Sequence, residues 1–195
     1  MARKVEFDEA VALKRAMRLF WQKGYESTSI QDLVETLGIN RFSLYNSFGD
    51  KKALFIQALE LYHKTVLSEL LKPLKSEGLG KQKLDDYLAF MQAKLESKSG
   101  LLGCFVQNSS LSSVAQHQDV SRVLRDMCGD LSASIESAIQ QSINEGDMMG
   151  GERASVLAGH ILCQIQGLIV LRKSLKSING IGQQVRFLRQ QVSQW

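Results

Sequence analysis

From Phe7 onward, Ala10, Leu13, Met17, Phe20 and Trp21 recur at steps of three and four, the spacing that puts side chains on one face of an α-helix. Asp8 stands ahead of this run as a cap and Gly24 after it as a stop. The next run, "STSIQDLVETLG", offers Thr28 or Ser29 as cap. Asp32 stands three residues after Ser29, as in a capping box, and Gly38 closes the run. Asn40 caps a third short helix reaching about Asn46. After Gly49, Asp50 opens a long helix whose Phe55, Leu59, Tyr62 and Val66 share a stripe and which Pro73 is expected to end.

Further helices are expected at 81–97, 103–115, 119–145, 152–177 and 180–194, separated by the glycine-bearing breaks "SEGLGK", "KSG", "EGDMMGG" and "INGIG". The segment 119–145 carries a continuous apolar face of Val120, Val123, Leu124, Met127, Leu131, Ile135, Ala138 and Ile139. With one proline in 195 residues and no alternating β-branched run, the fold class is all-α, with about nine helices. The expected organisation is a three-helix module over 1–50, a connecting helix over 51–72, and a helical domain across 51–195.

Composition narrows this picture only a little. Hydrophobic residues at 44% and charged residues at 23% belong to a folded globular chain. The net charge of +4 and pI near 9.0 favour polyanionic partners. Cys104, Cys128 and Cys163 are odd in number and widely spaced, so a disulfide framework is not expected and a reduced cytoplasm fits. "MARKVEFDEA" is basic but has no apolar stretch after it, so secretion is not expected. Residues 156–171 are apolar, yet they fall short of the roughly 20 residues of a membrane span and contain His160, Gln164 and Gln166, so they are expected to form a buried helix. His160 and Cys163 share a face, but two ligands do not make a metal site. No cofactor is expected. A Gly-rich phosphate loop, His-Glu-x-x-His and Gly-x-Ser-x-Gly are all missing from the sequence, and an enzyme is not expected.

The chemistry concentrates at "TLGINRFSLYNSF", residues 36–48. Leu33, Val34, Leu37, Ile39, Leu44 and Phe48 are apolar anchors with Gly38 at the bend, which describes two short helices crossing at a tight turn, a helix-turn-helix. The second helix then presents Arg41, Phe42, Ser43, Asn46 and Ser47 outward, where Arg pairs with guanine, Asn with adenine and Phe with a thymine methyl. Tyr45, Lys51, Thr28 and the amides beginning at Ser29 suit phosphates, and Arg3 and Lys4 are placed for an arm on the backbone or minor groove. "YESTSIQDLVETLGINRFSLYNSFGDKKALF" resembles the DNA-binding segment of the TetR family of transcriptional regulators, through the Thr-x-Ile start, the Gly-Ile-Asn bend, Leu44-Tyr45, Phe48 and Lys51-x-x-Leu54-Phe55. The resemblance implies phosphate contacts for Tyr45 and Lys51, a capping and backbone-contacting role for Thr28, and base-reading positions for Arg41, Phe42 and Asn46. Phe42 stands where the family commonly has a small residue.

In the second domain, Ile181, Val185, Leu188, Val192 and Trp195 recur as a heptad-type seam, and the helix before it is apolar on nearly all sides and needs two covers. The family resemblance implies a homodimer through about 152–195, with Leu157, Ile161, Ile165, Leu168, Ile181, Val185, Leu188 and Val192 at the interface, and hence an inverted-repeat operator of double-stranded DNA. It also places a small-molecule effector site in this domain, for which Phe90, Cys104, Phe105, Asn108, Met127 and Gln164 are the candidate lining residues. Cys104 follows Gly103 at a helix start, and the resemblance extends to relatives whose Gly-Cys pair opens the sixth helix and senses electrophiles or oxidants. No carboxylate follows Glu152, while Arg153, Arg172, Lys173, Lys176, Arg186 and Arg189 do. These are expected to form a solvated basic face, with an acidic ligand or partner as the alternative. The expected function is a ligand-responsive repressor. A thiol-sensing repressor acting through Cys104, an activator using the same contacts, and a helical interaction module without DNA binding remain as alternatives.

Overall fold

The computed structural model describes residues 7–148, 151–175 and 180–195, and among these every regular element is helical. α1 spans Glu9–Lys23, α2 Ile30–Leu37 and α3 Arg41–Phe48. α4 runs as Lys51–Tyr62, a π turn His63–Leu67, and Ser68–Lys75. α5 is Gly80–Glu96, α6 Phe105–Ser110, α7 Gln118–Asn144, α8 Ala154–Leu175 and α9 Ile181–Ser193. Nine helices are thus present among the described residues. The expected arm at Arg3 and Lys4, and Lys176, lie outside them.

Helix starts follow from short polar side chains. Asp8, Ser29, Asn40 and Asp50 each accept backbone N–H bonds at the N-termini of α1 to α4. At α2 the capping box is complete, with Asp32 accepting from the Ser29 amide at 2.8 Å and Ser29 Oγ from the Asp32 amide at 3.0 Å. Three expectations shift. Ala10 is exposed, and the buried stripe of α1 is Ala12, Ala16, Met17 and Phe20. Pro73 does not end α4, because it removes only one hydrogen bond two residues before the helix stops at Lys75. The expected helix at 103–115 is broken into α6 and a separate 3₁₀ turn, Ser113–Gln116.

The chain forms two compact units. The first takes the chain up to Val66 together with Asn108–Arg125, and the second Leu67–Gln107 with Asp126–Trp195. The first is centred on an aromatic cluster in which Phe55 stands edge-on to Phe20 at 5.1 Å and to Tyr25 at 5.0 Å, and Trp21 to Tyr62 at 5.0 Å. In the second, Leu95, Leu168, Ile181 and Val185 form a buried cluster joining α5, α8 and α9. Gly80 lies so close to α7 that a Cβ there would collide with the Ala138 carbonyl and the Ser142 amide.

Candidate DNA-binding interface and regulatory site

The bend between α2 and α3 is built on Gly38, at φ 71° and ψ 30°, a left-handed conformation that glycine adopts without steric cost. Leu33, Leu37, Ile39, Leu44 and Phe48 are buried beneath it. Polar bonds fix the C-terminal end of α3 to its neighbours. Ser47 Oγ donates to Glu9 Oε1 of α1 at 2.6 Å, and Gln57 Nε2 of α4 donates to the Phe48 carbonyl at 3.2 Å. Arg15 Nη1 reaches the Leu37 carbonyl at the end of α2. Lys23 pairs with Asp32 at 2.8 Å, and this partner, followed by the Ser29 donors, holds the Asp32 carboxyl well below the usual carboxylate range.

The opposite face of α3 is left to solvent. Arg41, Tyr45 and Asn46 are exposed, Ser43 is half-buried, and Phe42 is 76% exposed, a large apolar ring with no cover. The Arg41 guanidinium lies 5.8 Å from the Tyr45 ring centroid. The Lys51 ammonium stands 4.3 Å over the Tyr25 ring at the start of α4, and burial pushes its pKa down. Ser29 is exposed at the α2 N-terminus. Thr28 is the exception among the expected contacts. It is fully buried and its hydroxyl donates to the Gly24 carbonyl at 2.6 Å, so it braces the turn from inside and Ser29 alone caps α2.

Sequence reasoning missed what lies against this module within the same unit. Glu26 accepts from Ser113 and Val114, and Lys52 pairs with Asp119 at 2.8 Å. No periodicity signals such pairs, because the partners are more than sixty residues apart in sequence.

The expected effector residues are dispersed. Phe105 and Met127 are buried, Phe90, Cys104 and Asn108 are half-buried, and Lys94 caps the Phe90 ring at 5.3 Å. Gln164 points outward, and Asn108 belongs to the first unit. The glutamine of α8 with a buried side-chain oxygen is Gln166, two residues and about 200° further round the helix. Its backbone carbonyl receives Gln107 Nε2 at 3.3 Å. Tyr87 is fully buried in α5, and burial followed by the Cys104 thiol pushes its phenol above the usual range.

Seven of the eight expected interface residues, Ile161, Ile165, Leu168, Ile181, Val185, Leu188 and Val192, are buried within the chain itself, and Leu157 is half-buried. Their periodicity marks the inward face. The outward face of α8 carries exposed Val156, Cys163, Gly167, Val170, Leu171 and Leu175, and α9 adds Phe187. Arg172 and Arg189 of the expected basic face are held in specific bonds. Arg172 is buried, its Nε donating to the Leu95 carbonyl at 2.8 Å at the end of α5, and Arg189 makes a two-pronged bond to Asp85 at 2.7 Å.

A helix held by its apolar face and presenting arginine, asparagine and aromatic side chains after a glycine bend defines a helix-turn-helix DNA-binding protein. Residues 12–58 match the family model of bacterial regulatory proteins, tetR family. The chain is 29% identical over 178 residues to the HTH-type transcriptional repressor ComR of Escherichia coli (strain K12), spanning 91% of this chain and 85% of ComR. It is also 29% identical over 150 residues, 77% of each chain, to the uncharacterized HTH-type transcriptional regulator YezE of Bacillus subtilis (strain 168). A cysteine mutant of the TetR family transcriptional regulator CifR, solved with 26-bp double-strand operator DNA, superimposes with a TM-score of 0.85 at 26% identity, covering 96% of this chain and 98% of CifR. Residues 12–58 thus carry the DNA-binding segment of the TetR family of transcriptional regulators, and the chain resembles regulators of that family over most of its length.

Proposed function

We propose that this regulator is a homodimeric repressor that leaves an inverted-repeat operator when a small molecule binds its second domain. The observation that carries the DNA side is the reading surface, with Arg41, Phe42, Ser43 and Asn46 toward bases and Ser29, Tyr45 and Lys51 toward phosphates, on a helix immobilised from behind. In this reading residues 1–50 bind DNA and 51–195 carry dimerisation and effector response. Dimerisation is supported by α8, which is long and apolar enough to cross a membrane, yet only 28% of its most apolar window is buried. A second copy laid on Val156, Val170, Leu171, Leu175 and Phe187 would cover that face. At Gly159 and Gly167 an added Cβ meets nothing within 4 Å, so backbones can approach closely there. A two-fold dimer presents two α3 helices to two half-sites.

The test is fluorescence anisotropy at fixed salt on the upstream intergenic duplex and on a scrambled one, with Tyr45→Ala alongside and random-sequence selection if the native duplex fails. Selective binding lost in the variant is the expected result. Failure of both substrates to bind selectively overturns the reading.

A second mode of release, by modification of the Cys104 thiol, is supported by its half-buried position immediately ahead of α6. Cys104→Ser would then remove the response to oxidants and electrophiles while leaving operator binding in place.

A further inference from the structure

The second unit contains polar atoms that its own fold does not satisfy. The Tyr87 hydroxyl, Gln107 Oε1 and Gln166 Oε1 are all buried without a hydrogen-bond partner. Buried polar groups of this kind each cost about 1–3 kcal/mol, and a chain that keeps three in one region gains nothing from them in folding. They come from three elements of this one unit, α5, α6 and α8. Gln107 Nε2 bonds the Gln166 backbone at 3.3 Å, which joins α6 to α8, and α5 packs against α8 in turn.

The donor and acceptor inventory sets the ligand's chemistry. The two amide oxygens accept only, so they call for N–H or O–H groups. The Tyr87 phenol is held protonated by its burial, so it can donate to a carbonyl oxygen. These three groups carry no charge to pair with a carboxylate or an ammonium, and an ion placed there would lose its hydration uncompensated.

We propose that Tyr87, Gln107 and Gln166 form the polar floor of a buried site for a small uncharged molecule bearing both a carbonyl oxygen and an N–H or O–H donor. The proposal rests on the effector-responsive reading of the second domain. It goes further by naming the ligand class and the residues that select it.

The experiment titrates the full-length protein with 4-hydroxybenzamide and benzamide, with 4-hydroxybenzoate and benzylamine as charged counterparts, by calorimetry and thermal shift. The expected result is binding of the neutral pair alone, weakened about tenfold or more by Tyr87→Phe and by Gln166→Met. Without ligand, Tyr87→Phe should unfold at the same temperature or higher, because it deletes a hydroxyl that has no partner. Three results would overturn the proposal: no binding of the neutral probes, equal binding of the benzoate, or a Tyr87→Phe protein destabilised without ligand, which would mean that water already satisfies the phenol. Operator binding by the wild-type protein, measured without any probe, reports separately on the regulator reading, so the two can fail independently.

Discussion

Glu26 Oε1 accepts hydrogen bonds from the Ser113 hydroxyl at 2.5 Å and from the Val114 amide at 2.9 Å. One carboxylate in the turn before α2 thereby caps the 3₁₀ turn Ser113–Gln116, some ninety residues further along the chain, within one compact unit. Burial pushes the Glu26 carboxyl up, but the Ser113 hydroxyl and the backbone N–H donors outweigh it and hold it below its ordinary value of 4.5. A carboxylate with a depressed folded-state pKa stabilises fully above the unfolded value, and that contribution fades as pH falls through the folded one. The protection factor of the Val114 amide, the intrinsic exchange rate over the observed one at the same pH, should therefore be high near neutral pH and fall as the solution is acidified below pH 4.5. Glu26→Ala should lower that protection factor at every pH.

Gly80 and Gly129 make a matched pair. Both are helical, but an added methyl at Gly80 runs into backbone atoms of α7, whereas at Gly129 it meets nothing within 4 Å. Gly80→Ala is expected to cost about 3 kcal/mol because backbone cannot move aside cheaply. Gly129→Ala should stabilise by roughly 0.5–1 kcal/mol through helix propensity alone. Urea unfolding of the two variants checks both signs.

Arg172 is a buried charge whose partners are carbonyls, those of Leu95 at 2.8 Å and Ser97 at 3.5 Å, at the negative end of α5. Arg172→Met keeps the volume but strips these carbonyls of their donor, and should destabilise by about 2 kcal/mol. Arg172→Lys should recover only part of this, since an ammonium lacks the fork that spans two acceptors. Thermal denaturation of the two variants side by side would show the order.

Asp85 and Arg189 meet through two parallel bonds of 2.7 Å on a partly exposed face. The Arg189 guanidinium holds the Asp85 carboxyl below its ordinary value of 3.8, so the pair contributes above that pH and is lost in acid. Screening limits its worth, and a double-mutant cycle with Asp85→Asn and Arg189→Gln should give a coupling of about 0.5–1 kcal/mol at pH 7.

Two classes of DNA contact should separate in titrations over salt. Lys51→Met is expected to weaken operator and scrambled duplexes alike and to lower the salt slope by about one. Asn46→Ala should instead narrow the gap between operator and scrambled DNA by about 1–3 kcal/mol at an unchanged slope. Equal effects on both measures would assign the two residues to one class.

The local grammar of this protein was legible from sequence because it depends on neighbours three and four residues apart. Asp8, Ser29, Asn40 and Asp50 cap their helices through their own side chains, and Gly38 bends the chain through its own φ. The spacing of Leu33, Leu37, Leu44 and Phe48 likewise fixed which face of the helix-turn-helix is hidden and which is left to DNA. Periodicity states that a face is apolar without saying what covers it. Thus Ile161, Ile165 and Val185 went to the chain's own core, while Val170, Leu171 and Phe187 stayed outside. The same limit hid Glu26 against Ser113, Arg172 against Leu95, and the inward turn of Gln166, where Gln164 had been expected. Those pairings join residues far apart in the chain, and only the packed tertiary structure determines which distant polar groups meet and which are left without a partner.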